Sequence, residues 1–291
     1  MEKIKPKIYK KKGPIVEVFL RLAKNKTAIL GLIIVAILII AALAAPFIFD
    51  YDDVIIKQNI SNRLQSPSKD NWFGTDDLGR DIFARIVYGS RISLRVSFTA
   101  VAIALLIGGF LGAIGGYYGG MLDNIIMRFM DVFLAIPGTL FAITIAAALG
   151  NNIRNLIIAL SISSIPGFAR ILRSSVITVR DVEFIEAARA IGANDARIIL
   201  NHVIPNSLAP VIVHTTLNVA TIILTIAGLS FLGLGIAPPA PEWGSMLSSG
   251  RTYLIGHSYI TAFPGFAIMI TILALNLLGD GLRDALDPRL K

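Results

Sequence analysis

The chain contains no cysteine, which excludes disulfides, Cys-based metal sites and thiol nucleophiles, and leaves the redox compartment unreadable. Histidine is nearly as scarce. His202, His214 and His257 stand far apart with no HExxH pair, so a metal-hydrolase arrangement is missing. A GxxxxGK[ST] phosphate loop is also lacking, so the chain does not supply ATP hydrolysis by that route. Charge is thin at 16% of residues against 55% hydrophobic, with a mean hydropathy of +0.71. That balance is too apolar for a soluble domain and fits a membrane protein. The net charge of +8 raises nucleic acid as a partner, but 9 of the 27 Lys and Arg lie between Lys3 and Lys26, directly before an apolar run. Such placement marks a membrane-orienting flank, and no nucleic-acid partner is expected.

What is abundant is apolar length. A spanning helix needs roughly 20 mainly apolar residues. Runs free of Asp, Glu, Lys and Arg extend over Ala28–Phe49, Val96–Leu122, Val132–Ile153, Asn155–Ala169, Ile198–Pro241 and Thr252–Gly279. The fourth has 15 residues and crosses only if Arg154 and Arg170 snorkel to the two interfaces. The first run has a longer core than a signal peptide, and its cleavage-like Ala42-Leu43-Ala44 is followed at once by Ala45-Pro46, so it reads as a retained span. With the N-terminus inside, the inside segments hold 18 Lys and Arg and the outside ones 8. The expected fold is therefore an all-α polytopic membrane protein of about six transmembrane helices, N-in and C-in. It divides into a basic cytoplasmic N-terminus (1–27), a first transmembrane helix (28–49), an extracytoplasmic loop (50–92) and a transmembrane core (93–291).

Within the apolar runs, Gly108, Gly112, Gly116 and Gly120 recur every four residues, the spacing that lets helix backbones approach closely; Gly116 and Gly120 can also be read as a glycine-rich helix end. Pro137-Gly138, Pro166-Gly167 and Pro264-Gly265 predict bends or helix starts. His214, Asn218, Thr221 and Thr225 share one helical face in the fifth run. That polar stripe either lines a solute path or bonds to another helix. No charge lies deep in any run, which argues against a proton relay or voltage sensor.

Between the fourth and fifth runs lies a polar insert, EFIEAARAIGANDARIILNHVIPN, from Glu183 to Asn206. Phe184, Ile185, Ala188 and Ile191 follow helical spacing, acids precede them, and Gly192 stands where a left-handed C-cap is needed. Asn194 then caps a second helix that ends or kinks at Pro205. This helix–turn–helix is either a partner-docking element or a solvated amphipathic connector.

Glu186-Ala187-Ala188, three residues, Gly192 and then Pro205 resemble the EAA motif of ABC importer permeases. His202 departs from the aliphatic residue common at that place, and His202-Val203-Ile204-Pro205-Asn206 resembles the HxxPN ending of the peptide and nickel permeases. Trp72 to Asp76, Leu78 to Asp81, Gly115 to Gly120, Gly228 to Gly235, Pro238 to Gly244 and Asn276 to Leu290 resemble the C-type permease of dipeptide and oligopeptide importers. The resemblance implies one half of a heterodimeric pore for di- or oligopeptides in a prokaryotic cell membrane. Its partners are a second permease, two cytoplasmic ATPases, an extracytoplasmic solute-binding protein and membrane lipid. No cofactor is expected on this chain, and ATP and magnesium belong to the ATPases. The implied coupling site is Phe184, Ile185, Glu186, Ala187, Ala188, Ile191, Gly192 and Pro205, in a loop at about 181–206. His214, Asn218, Thr221 and Thr225 are the pore-lining candidates. Trp72 and Trp243, the two tryptophans, are expected at the outer face, either as interfacial anchors or as contacts for the binding protein. A secondary transporter or channel would fit the hydropathy, without needing an EAA-type insert. Nickel or another small solute is the alternative cargo within the family.

Overall fold

The computed structural model describes residues 14–287; the basic stretch Lys3 to Lys12 and the C-terminal Arg289 and Lys291 lie outside them. The described chain is helical, with an isolated two-residue bridge between Thr75 and Asp81 as its β pairing. A short α1 (Pro14–Leu22) leads into α2 (Lys26–Ile48), where the Asn25 side chain accepts from the Thr27 and Ala28 amides. A structured loop then precedes α3 (Ile82–Tyr118). Next come α4 (Gly120–Leu134), α5 (Gly138–Leu149) and α6 (Ile153–Arg180), then α7 (Glu183–Ala190) and α8 (Asp195–Ile198). The chain closes with α9 (Ile204–Phe231), α10 (Trp243–Gly250) and α11 (Tyr259–Leu286).

Five described helical stretches are long and apolar enough to cross a membrane: α2, α3, α6, the run from α8 through α9, and α11. The third expected span, Val132–Ile153, falls largely within a bent pair, Gly120–Leu134 and Gly138–Leu149. Helices α4 and α5 meet at 82° around Pro137, which cannot continue α4 and whose fixed φ instead opens α5. Pro166 and Pro264 lie inside the continuous helices α6 and α11, so they do not break them. Helix α3 begins well before the charge-free run at Val96, because the Asp81 carboxylate caps it by accepting from the Ala84 amide. Its 37 residues extend roughly 55 Å. The short fourth run is the front half of a 28-residue α6, and the fifth stops at Phe231.

The core is a set of close backbone contacts, and α3 against α6 is the most extensive. A methyl at Gly108 or Gly112 would overlap the Ile165 or Ala169 carbonyl of α6, and one at Gly116 would come within 2.9 Å of the Arg173 carbonyl. Three glycines of the four-residue stripe thus form the seam, whereas Gly120 meets nothing and opens α4 with φ +59°. On the other flank α2 lies along α11, with Gly31 against the Ala274 carbonyl. The outer faces of α2, α3 and α11 stay apolar and exposed, as at Ile40, Phe110 and Leu273.

The start of α2, the end of α11 and the α6–α9 connector sit at one end of the bundle: Gly281 packs on Ala28, and Arg283 shares a groove with Ala209 and Pro210. At the opposite end, the loop before α3 is pinned by Arg85, whose guanidinium donates to Ile55 O at 2.6 Å and lies 3.6 Å from Asp76, itself paired with Arg80 at 2.7 Å. Phe73 stacks on Phe263 at 4.0 Å. Trp243 is 1% exposed and donates its indole N–H to Ile86 O at 2.9 Å, so neither of the outer-face roles expected of it applies. Trp72, by contrast, is exposed and rests on Phe83.

Candidate functional site

The connector folds as its residues dictate. Glu183 and Glu186 fall in the first turn of α7 and Arg189 in its last, both favourable to the helix dipole. At the end, Gly192 adopts φ +85°; its amide bonds to Arg189 O at 2.9 Å, and the Ala193 amide to Ala188 O at 3.1 Å. These two bonds form a Schellman cap, with Ala193 packed back on the cluster that holds Ala188. Space around Gly192 is open, so the requirement for glycine there is purely one of backbone angle. Asn194 then caps α8, its side chain accepting from the Arg197 amide at 2.9 Å.

Pro205 does not end the second helix. It enters α9 at its first turn, and the distortion sits just before it, as a wider π turn over Ile199–Val203. Without an N–H, Pro205 leaves the Asn201 carbonyl without its usual partner, and the backbone widens upstream. The Asn206 side chain donates to His202 O at 2.6 Å, adding a bond at this joint.

The expected coupling residues divide by face. Ile185 is 0% and Ala188 7% exposed, locked in a cluster with Tyr117, Val176, Ile198 and Val203. Phe184 is 44% and Ile191 86% exposed, with Ala187 and Glu186 also exposed. At about 100° per residue, Ala187, Ile191 and Phe184 cover one continuous apolar arc, and Ile185 lies about 100° beyond Phe184. The apolar face that the spacing gives is thus divided along its length: one part, Ala188 and Ile185, seats α7 on its own chain, and the adjoining part is left uncovered. The uncovered part is exposed apolar surface, with Glu183 and Glu186 beyond its Ala187 edge.

The polar stripe on α9 is mixed in environment. Thr225 bonds back to Thr221 O at 2.9 Å and Thr221 to Leu217 O at 3.1 Å. His214 meets the Phe168 ring of α6 edge-on at 4.7 Å and borders a groove of about 380 Å³ with Pro210, Leu217 and Arg283. The Nε2 of His214 and Oδ1 of Asn218 are buried without a hydrogen-bond partner in this chain.

Two polar centres escaped the sequence reading. Glu242 is 2% exposed and accepts four bonds: from the Gly244 and Ser245 amides at 2.7 Å, from Ser230 at 2.8 Å and from Ser93 at 3.4 Å. Burial pushes its carboxyl above the ordinary value, and the four donors oppose that rise. It ties α3, α9 and α10 together. The second centre is an ion pair between Asp123 of α4 and Arg173 of α6, with Nη2 to Oδ2 at 2.6 Å. The signal for each was present, an acid within an otherwise apolar motif, but its partners lie far off in sequence.

Residues 104–291 match the family model described as the binding-protein-dependent transport system inner membrane component. The chain belongs to this family. Residues 13–67 of this family member also match a model for the N-terminal transmembrane domain of oligopeptide transport permease C. Among its relatives, the dipeptide transport system permease protein DppC of Alkalihalophilus pseudofirmus is 52% identical over 94% of this chain and 90% of that protein. A glutathione transport system permease protein, GsiD of Pectobacterium atrosepticum, is 43% identical over 94% and 91%. The fold is shared with the MetNI methionine ABC transporter in an inward-facing form, with a TM-score of 0.58 and 17% identity over 71% of this chain and 98% of that one. An amino acid ABC transporter gives 0.52 and 17% over 69% and 94%. The chain is thus a multi-pass membrane component of a binding-protein-dependent transport system.

Proposed function

We propose that this permease forms one half of the translocation path of an ATP-driven importer for di- or oligopeptides in a prokaryotic cell membrane. It pairs with a second permease, two cytoplasmic ATPases and an extracytoplasmic binding protein. The chain itself is non-catalytic and ATP hydrolysis comes from the ATPases. One observation carries the reading: α7 is fastened to its own chain by Ile185 and Ala188 while the adjoining Phe184, Ala187 and Ile191 remain uncovered. A rigidly seated helix with an apolar outer arc is suited to lie in a groove of a soluble partner and to transmit that partner's motion. Glu186 orients it and Gly192 supplies the turn. The excess of Lys and Arg in the inside segments of the sequence favours N-in, C-in, with α7 in the cytoplasm. ATP then drives the change between inward- and outward-facing forms because it binds the two with different affinity.

Peptide as cargo rests on the DppC and GsiD relatives, whose names specify dipeptide and glutathione. Reconstituted with its partner subunits in vesicles, the complex is expected to take up a labelled dipeptide when ATP is supplied on the α7 side and the binding protein on the other. Uptake without ATP, or with this chain alone, would replace the reading with a secondary transporter.

A further inference from the structure

Tyr117, the penultimate residue of α3, is 6% exposed and shares the apolar cluster of Ile185, Ala188, Ile198 and Val203. Its hydroxyl donates to Oδ1 of Asp195 at 2.8 Å, the first residue of α8. The guanidinium of Arg189, in the last turn of α7, sits over the ring with Cζ 5.4 Å from its centroid. One side chain therefore grips both arms of the helix–turn–helix. Two residues on, Gly119 turns with φ +66° and the chain becomes α4. The corner is braced on α6: Arg180 donates to Gly116 O at 2.7 Å, and Arg173 holds Asp123. The end of α3, the start of α4 and the end of α6 thus form one hydrogen-bonded block, and α4 leads straight into the bent α4–α5 pair.

Apolar packing seats the connector on this block but is non-directional. A hydrogen bond to a carboxylate and a cation held over a ring are directional, so they turn a displacement of α7 into a displacement of the corner. We propose that Tyr117 is the joint through which movement of the connector reaches the α3–α4 corner, a positioning residue for transport coupling. This rests on the reading of α7 as the ATPase-docking helix, and it assigns the transmission step on the permease side.

The test uses the complete complex, with Met121→Cys on α4 and Phe266→Cys on α11 as spin-label sites; both residues are exposed, and the chain brings no cysteine of its own. Distances are measured with and without ATP in the absence of magnesium, and ATPase recovery is measured alongside. In the otherwise native chain ATP is expected to shift the distance distribution. With Tyr117→Phe the ratio of shifted to unshifted population should fall by about tenfold or more, the scale of one hydrogen bond to a charged acceptor, at unchanged ATPase recovery. Asp195→Asn, which keeps an acceptor oxygen, should retain most of the shift. Asp195→Ala should behave like Tyr117→Phe, and the double variant no worse than either. A full native shift in Tyr117→Phe overturns the proposal. Loss of the ATPase in that variant also overturns it, by making the role a structural one. Failure to recover an ATPase with the native chain overturns the docking reading and, with it, this joint.

Discussion

Gly112 of α3 lies so close to the carbonyl of Ala169 in α6 that one added methyl group would overlap it. The closeness is local. Three residues earlier, a methyl on Gly109 would meet Leu172 Cδ2 at 3.5 Å, an ordinary contact. Gly112→Ala should therefore lower the detergent melting temperature by an amount equivalent to about 1–3 kcal/mol, whereas Gly109→Ala should leave it unchanged or raise it. Equal effects would mean that the α3–α6 seam is wrongly placed.

The two faces of α7 predict opposite outcomes for neighbouring residues. Ile185→Ala removes a fully buried side chain and should cost about 2–5 kcal/mol of stability, read as a drop in melting temperature and in yield. Phe184→Ala, on the exposed arc, should change stability by less than about 0.5 kcal/mol while weakening partner binding. A stable Ile185→Ala chain would contradict the seating described for α7.

Gly192 offers a backbone test. Its φ of +85° and empty surroundings mean that Gly192→Ala pays only the left-handed penalty, about 1–2 kcal/mol, and Gly192→Asn less. Hydrogen exchange of the Gly192 and Ala193 amides, which close the cap, should quicken in the Ala variant more than in the Asn variant.

Glu242 holds Ser230, Ser93 and two amides at a buried three-helix junction. Glu242→Ala leaves these groups without an acceptor and should destabilise by about 2–4 kcal/mol, with protease cleavage appearing near α10. Unchanged protease resistance would show that the junction does not depend on the carboxyl.

The stripe on α9 either lines a solute path or bonds within and between helices. Thr221→Val and Thr225→Val replace hydroxyls that bond to their own helix, so both should leave the range of solutes taken up unchanged. A changed range on substituting His214 or Asn218, with ATPase recovery intact, would decide for the solute path and assign selectivity to this face.

Local chemistry made much of the connector legible in the sequence. The first-turn acids, Gly192 and Asn194 act within four residues of themselves, and α7, its cap and α8 fall where those residues place them. The glycine stripe was legible for the same reason, as a repeat along one helix, although its partner α6 was not. What stayed hidden depends on distant contacts. Whether Phe184 or Ile185 faces inward is decided by Tyr117 and Val176, which arrive from α3 and α6. The early start of α3 was concealed because Arg85, Arg91 and Arg95 broke the apolar run, yet Arg85 is buried against the preceding loop. The 82° break at Pro137 and the burial of Trp243 likewise follow from packing that no local pattern encodes.

The most direct test of the central claim is to extract the tagged chain from its native membrane in gentle detergent and identify by mass spectrometry what accompanies it, beside a Phe184→Asp, Ile191→Asp double variant. The native chain should bring a second permease and an ATPase, and the variant the second permease alone. An ATPase retained in full by the variant, or a native chain that moves solute with no ATPase bound, would contradict the assignment of the outer face of α7 as the coupling surface.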